Sequence, residues 1–302
     1  MIDLRRLRYF VTVAEAGGLT RAAERLGMQQ PPLGQQIRAL EDDLGVRLFD
    51  RAPKRISLNA AGQVFLEDAR RLLAAAEEAV EHVRRFDRGE RGHVAVGFTS
   101  SASLHRLTPL LIRTFREAYP EVEMDVEERE TYELILALQQ KRIDAAFLHV
   151  GAGGFPDLEH RVLDREGLVA AIPADHPLAG EPASPMPLSA FHGQRLVVYR
   201  RHDGPGIFES VNAGFAAAGV LPVVVDEVQR LIAALNLVAA GRGMTLVPAS
   251  MQVLHPAAIV YRPLAPEALA PLPLYLLHRR GVDLQLVRNF IDVAARFEQA
   301  GN

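Results

Sequence analysis

The chain has 302 residues, 49% hydrophobic and 24% charged, with a formal net charge of −3; this is the balance of a folded globular protein, and the length calls for more than one core. It contains no cysteine, which excludes disulfides, thiolate metal sites, Cys nucleophiles and thiol redox sensing. No apolar run approaches the roughly 18 residues that a membrane span needs, and the ten histidines form no HxxxH or HExxH pair. Residues 1–60 hold ten Lys+Arg against seven Asp+Glu, whereas the rest holds 24 against 30. A basic head on an acidic body suits a protein whose head alone meets a polyanion. The opening MIDLRRLRYF has charge but no apolar stretch ahead of a small-residue cleavage site, so a cytoplasmic location is expected.

Leu4, Leu7, Phe10, Val11 and Ala14 recur at helical spacing until Gly17-Gly18. Thr20 is the expected cap of a second helix, which carries Ala22, Ala23 and Leu26 and stops at Gly27. A third helix is expected over 30–43. Its Pro31 and Pro32 fall in the first turn, where a missing N–H is harmless, and Gly45 ends it. Two short strands, 46–49 and 55–58, make a wing with a basic tip. Asn59 caps a long helix over about 60–88, which spans ~42 Å at 1.5 Å per residue. Its stripe of Phe65, Ala69, Leu72, Ala76, Val80 and Val83 exceeds what a small head covers, so pairing with a second copy is expected. RGERGH, 88–93, reads as a hinge.

Strand and helix alternate from there. Strands at 94–98, 122–126 and 143–148, with helices at 104–119 and 132–140 between them, imply a parallel sheet. A second series has strands at 167–172, 195–199, 223–225 and 244–248, with helices near 208–218 and 229–240. A strand at 274–277 and a helix from about 283 to 300 close the chain. The resulting division is a winged helix-turn-helix at 1–59, a linker and dimerisation helix at 60–88 and a hinge at 89–93. A two-lobed α/β body follows, lobe I being 94–165 plus 270–302 and lobe II 166–269.

Two helices joined by a tight turn hold the second at a fixed angle, so that its N-terminal end can enter the major groove. With Leu33, Ile37 and Leu40 inward, the residues expected to face DNA are Gln29, Gln30, Pro31, Pro32, Gly34, Gln35, Gln36 and Arg38, with Thr20 and Arg21 beside them. Gln pairs bidentately with adenine, and proline rings pack on thymine methyls. Arg51, Lys54 and Arg55 of the wing would touch phosphates. The plainer alternative, a three-helix bundle with a solvated face, does not account for the wing and the long helix together.

These same residues resemble the head of a LysR-type transcriptional regulator. The matching pieces are Leu7 to Phe10, Thr20-Arg21-Ala22-Ala23, Leu26, Gln30-Pro31, Ile37, Leu40-Glu41, Leu44-Gly45, Leu48-Phe49-Asp50-Arg51, Leu58 and Ala61-Gly62. The resemblance extends over the whole length. It implies a winged helix, a dimerising linker helix and an effector domain like a periplasmic binding protein. It also implies a homotetramer built as a dimer of dimers, promoter DNA and RNA polymerase as partners, and no cofactor. The chain departs from the family at Gln29, where Ser is usual, and at Gly34-Gln35, where Ser-Arg is common; operator preference should therefore not follow the family's.

In two-lobed α/β folds ligands sit beyond strand carboxyl ends, near helix N-termini. Thr99-Ser100-Ser101-Ala102-Ser103 and Glu130-Thr131 each lie between a strand and a helix, although Ser103 and Thr131 read equally as plain caps. The segments ALQQKRIDAAF and LVAAGRGMTLVPAS look closest to regulators of aromatic-compound catabolism. That resemblance implies that Ser101 and Thr131 hold an inducer carboxylate. It also places His149 where some relatives carry Arg for a second effector. Ser100 and Ser103 complete the lobe I side. Arg200 and His202, in the loop Arg200-Arg201-His202-Asp203 of the facing lobe, are candidate anion partners or simply a solvated basic loop. The expected ligand is a small organic anion, an aromatic acid or its dicarboxylate breakdown product. A solute-binding protein would share the two lobes but not the basic winged head. An enzyme would need a nucleophile elbow, Walker loop or metal triad that is not seen.

Overall fold

A computed structural model describes residues 3–52, 55–150, 153, 155–180, 185–200 and 207–297. The chain divides into two compact units, residues 1–85 and 86–302.

The first unit opens with α1 (Leu4–Ala16), α2 (Leu19–Arg25) and α3 (Gln30–Leu44). Asp3 caps α1 by accepting from Arg6 N at 2.7 Å. The expected Thr20 cap does not form: α2 begins two residues earlier, after Gly18, which has no side chain to offer. Thr20 instead lies in the first turn, its hydroxyl 3.1 Å from Gln30 Oε1. Gly45 ends α3 with φ 69, a left-handed conformation that favours glycine. Phe10 packs at the centre, its ring 5.4 Å from that of Phe49 and 5.1 Å from that of Phe65. Leu33, Ile37 and Leu40 are fully buried against it, each contributing about 1.5–3 kcal/mol by leaving water.

The wing is β1 (Phe49–Ala52) against β2 (Arg55–Leu58), antiparallel with Phe49 opposite Leu58. The expected strand at 46–49 is shifted, because Leu48 N and Phe49 N donate to the buried Glu41 carboxylate at 2.9 and 3.3 Å. Residues 46–48 are spent docking on α3, and pairing starts only at Phe49. Asn59 caps α4 (Ala60–Asp87) as anticipated, accepting from Gly62 N at 2.8 Å and donating to Arg47 O. The α4 stripe splits in two. Ala69 is fully buried and Phe65 packs in the head, whereas Leu72, Val80 and Val83 are exposed, Val83 to 68%.

In the second unit, β3 (Arg91–Phe98) leads to α5 (Ser100–Ser103), α6 (Leu107–Ala118), β4 (Glu121–Glu128), α7 (Thr131–Gln139), β5 (Ala145–Leu148) and β6 (Leu158–Glu166). The expected hinge at 89–93 shortens, since residues 91–93 already pair with Glu121–Glu123 of β4. Gly89, φ 65, packs so closely that a Cβ would lie 2.5 Å from Leu286 N. The helix expected over 104–119 begins only at Leu107, after a turn at His105 that follows the short α5. There the Thr108 hydroxyl donates to Ala102 O at 2.7 Å and the turn closes on itself.

Lobe II follows as β7 (Leu168–Pro173), β8 (Arg195–Tyr199), α8 (Ile207–Ala217), β9 (Val223–Val228), α9 (Leu231–Ala239), β10 (Thr245–Pro248) and β11 (Ile259–Pro263). The chain then returns through β12 (Leu272–Arg279) and α10 (Gln285–Ala295). The lobe I sheet has the order β4-β3-β5-β12-β6. β3 runs parallel to β4 and β5, as the alternating pattern predicts, and β12, the strand of the returning chain, runs antiparallel between β5 and β6. Helices α6 and α10 cover one face of this sheet around Phe115, Phe147 and Phe290, and α7 covers the other through Leu134 and Leu138. Lobe II has the antiparallel sheet β10-β7-β11 and the parallel pair β8-β9, bridged at Leu196 and Met244.

Candidate functional sites

The first site is the surface around the N-terminal end of α3. Gln29, Gln30, Pro31, Pro32, Gln35 and Arg38 are exposed there, with Thr20 and Arg21 of α2 alongside. Gln29 forms no side-chain cap, so the first N–H groups of α3 lack that support. Gly34 is a correction to the expected outward set. It is buried, and a Cβ there would lie 4.0 Å from Leu19 Cδ1. One residue after Leu33 and three before Ile37, it falls on the inward stripe and lets α2 approach. Gln36 is half-buried, its Oε1 accepting from Arg6 Nε at 3.2 Å. In the wing, Arg51 and Arg55 belong to the paired strands. Lys54 lies outside the described residues.

The second site is a cleft between the lobes of the second unit. Thr99, Ser100, Ser101, Glu130, Thr131 and His149 line it from lobe I, and Tyr199, Ile207, Arg230 and Leu231 from lobe II. Strand ends bring them together: β3 delivers 99–101, β4 delivers 130–131 and β5 delivers His149. Thr99, not Ser103, caps α5, by accepting from Ala102 N. The Thr99 and Ser101 hydroxyls are 3.3 Å apart, and both residues are buried, as is Thr131. Ser100 turns its hydroxyl to Glu128. Ser103 turns away from the cleft, donating to Ser100 O at 2.8 Å. Thr131 occupies the first turn of α7 rather than its cap. Glu130 holds the cap position, and its N–H donates to Glu133 at 3.1 Å.

Arg200 lines a neighbouring cavity in lobe II, together with Val197, Phe208, Val211 and Phe215. Its guanidinium sits 4.6 Å above the Phe208 ring and 3.5 Å from Glu227. That apolar cavity shares Tyr199 and Ile207 with the cleft. His202, with Arg201 and Asp203, lies outside the described residues. Among the described residues the cation that reaches the cleft is Arg230, which the sequence reading missed. Its Nε is 3.6 Å from Glu130 Oε1, an ion pair between the two lobes. Arg230 precedes a helix in QRLIAAL with nothing local to mark it. Burial pushes the His149 imidazole down to about 4, so it is neutral at neutral pH. Among the described residues no group of His, Asp or Glu could hold a metal ion. The cleft offers hydroxyl donors on one wall, a guanidinium on the other and an apolar annex, which suits an organic anion.

A model of the bacterial regulatory helix-turn-helix protein, lysR family, matches residues 4–63, and one of the LysR substrate binding domain matches residues 87–298. The HTH-type transcriptional regulator YnfL of Escherichia coli (strain K12) is 38% identical over 267 residues, 88% of this chain and 89% of its own. The crystal structure of CbnR, a LysR family transcriptional regulator, superposes with a TM-score of 0.86 at 29% identity, covering 97% of this chain and 100% of that one. Full-length CbnR complexed with its target DNA gives 0.83 at 28% identity, covering 99% and 100%. BenM of Acinetobacter baylyi (strain ATCC 33305 / BD413 / ADP1) is 33% identical over 272 residues, 90% of this chain and 88% of its own. The BenM effector binding domain with its effector benzoate superposes with a TM-score of 0.59 at 28% identity, over 68% of this chain and 91% of that one.

Proposed function

This chain is a member of the LysR family of bacterial transcriptional regulators, and on that premise we propose that it reads promoter DNA and answers to a small carboxylate held between its lobes. The family makes it a DNA-binding regulator with an effector domain rather than an enzyme. No helix of the described residues is long and apolar enough to cross a membrane, and a cytoplasmic location follows from work on DNA. The N-terminal end of α3 enters the major groove, Gln30 and Gln35 meet base edges, and the wing arginines and Lys54 meet phosphates. RNA polymerase is the partner to which a promoter-bound regulator reports.

The observation that carries the effector reading is the convergence of buried Ser101 and Thr131 with Arg230 on one cleft. The hydroxyls hold the carboxylate, Arg230 exchanges Glu130 for it, and the annex beside Tyr199 takes an apolar body. Benzoate, the effector named for BenM, has this chemistry. Benzoate and a series of dicarboxylates are to be screened by thermal shift. A ligand at 100 times its Kd stabilises by about 2.7 kcal/mol. Ser101→Ala and Thr131→Val should each weaken the best carboxylate roughly tenfold, since a hydrogen bond to a charged group contributes about 1.5–3 kcal/mol. An unchanged Kd in both variants refutes the site.

Self-association rests on the exposed half of the α4 stripe. Leu72, Val80, Val83 and Phe86 are each more than half exposed on a helix that polar residues otherwise cover. Two copies of α4 bury these residues against each other, and tetramers form from such dimers. Val80→Glu with Val83→Glu should leave the fold intact and shift sedimentation toward the monomer; unaltered sedimentation would place the dimer elsewhere.

A further inference from the structure

Behind the cleft wall lies a buried polar cluster that the effector reading does not use. His149 Nδ1 lies 3.2 Å from Pro273 O of β12. A carbonyl only accepts, so Nδ1 carries the hydrogen and Nε2 of the neutral ring is a bare lone pair. Nε2 is buried, and among the described residues it has no hydrogen-bond partner. The group it faces is Glu166 Oε1, 3.3 Å away. The His149 side chain is 4% exposed and that of Glu166 9%. Ser250 donates to both Glu166 oxygens, from its N–H at 2.8 Å and its hydroxyl at 3.2 Å. Among the described residues no lysine or arginine pairs with Glu166.

The neighbouring carboxylate, Asp164, is treated differently. Arg106 donates to it at 2.8 Å, and Arg165 N–H donates to its other oxygen. His105 faces it with Nε2 at 3.6 Å, its Nδ1 accepting from Leu107 N. Asp164 therefore has a cation and Glu166 has none. An ionised Glu166, held only by the two Ser250 donors, would set a charge without a counter-ion in a buried site directly against a lone pair, which is strongly unfavourable. One hydrogen on Oε1 removes both penalties, because the acid then donates to Nε2 and still accepts from Ser250. Burial raises the Glu166 carboxyl above its ordinary range and lowers His149, with nearby Asp164 adding to the first shift and His105 to the second. Both directions favour the same neutral pair.

We propose that Glu166 is a positioning residue that stays protonated at neutral pH and donates that proton to His149 Nε2, fixing the cleft wall and the strand crossing between the lobes. The crossing is at this point. Glu166 ends β6, Gly167 O accepts from Ala249 N at 2.9 Å, and β7 begins lobe II at Leu168. Ser250, packed in lobe II, holds the Glu166 carboxyl from the far side. Because the folded Glu166 pKa is raised, its contribution is complete below the ordinary carboxylate value and is lost as pH rises through the folded value. His149 is lowered to about 4, so its contribution is complete above its ordinary value of 6.5 and is lost as pH falls toward 4. Between the two ordinary values the loss at Glu166 and the gain at His149 offset each other, so the seam is tightest on the mildly acidic side of neutrality and loosens through Glu166 as pH rises further.

The test uses the full chain without any ligand, so failure of the carboxylate reading leaves it untouched. The infrared carbonyl stretch of a protonated carboxyl should be present at pH 7 and absent in Glu166→Gln. The thermal midpoint of the native protein should fall between pH 7 and 9 by more than that of Glu166→Gln, whose amide donates at every pH. Glu166→Ala, with no donor, should lie below both throughout. If these variants do not fold, nitrogen-15 shifts of the native histidines give the answer, the proposal requiring a neutral His149 with the hydrogen on Nδ1. Absence of the carboxyl signal, an unchanged alkaline slope in Glu166→Gln, or a hydrogen on His149 Nε2 with Glu166 ionised overturns it.

Discussion

Glu41→Ala should destabilise the DNA-binding head by about 2–5 kcal/mol and abolish its mobility shift at temperatures where the native chain still binds. Glu41 is a charged side chain 1% exposed on a helix that packs in the core of the head. Its Oε1 takes the N–H groups of Leu48 and Phe49, and its Oε2 takes Arg47 at 3.0 Å. Those two N–H groups open the wing and are themselves buried. Removing the acceptor strands both, at about 1–3 kcal/mol each. Arg47 is 64% exposed and rehydrates, so it adds little. Glu41→Gln keeps an oxygen for the same donors and should cost no more than about half as much. Thermal unfolding followed by circular dichroism separates the two variants. Equal losses would show that charge, and not the stranded donors, sets the effect.

Phe290→Ala should cost the effector domain about 3–5 kcal/mol, the range for emptying a buried aromatic site. Phe290 projects from α10, is fully buried, and lies 5.1 Å from the Phe115 ring and 6.4 Å from that of Phe147. The three rings come from α10, α6 and β5, so one cavity would loosen both covering helices from the lobe I sheet. Interiors packed to crystal density do not close such a hole by small shifts. Phe290→Leu refills most of the volume and should lose less than about 1.5 kcal/mol. Urea midpoints of the full chain distinguish them. A Phe290→Ala loss no larger than that of Phe290→Leu would mean that the site collapses.

Some of the cleft was legible in the sequence. Hydroxyls directly after β3 and next to α7 marked residues 99–103 and 130–131, the family resemblance singled out Ser101 and Thr131 among them, and the structure brings both to one cleft. Ser103 was drawn in by proximity, but its hydroxyl satisfies its own turn. Gly34 was placed outward by elimination, whereas the α2 packing makes it an inward contact. Strands β6 and β11 escaped notice. β6 reads LEHRVLDRE, with charges throughout, because it is an edge strand that pairs through its backbone on one side only. Arg230 gave no local sign at all.

What the sequence determined by itself is what neighbours within a few turns can encode. The apolar periodicity of α1, α3 and α4, the glycine stops at 17 and 45, the Asn59 cap and the head motif were all readable without a fold. The tertiary structure alone decided which side of the sheet each later segment joined. It also decided that β12 returns antiparallel, that Arg230 faces Ser101 across the cleft, and that Glu166 meets His149 without a cation. These contacts join segments far apart in the chain, so strand order and lobe closure bring them together, and no local spacing records them.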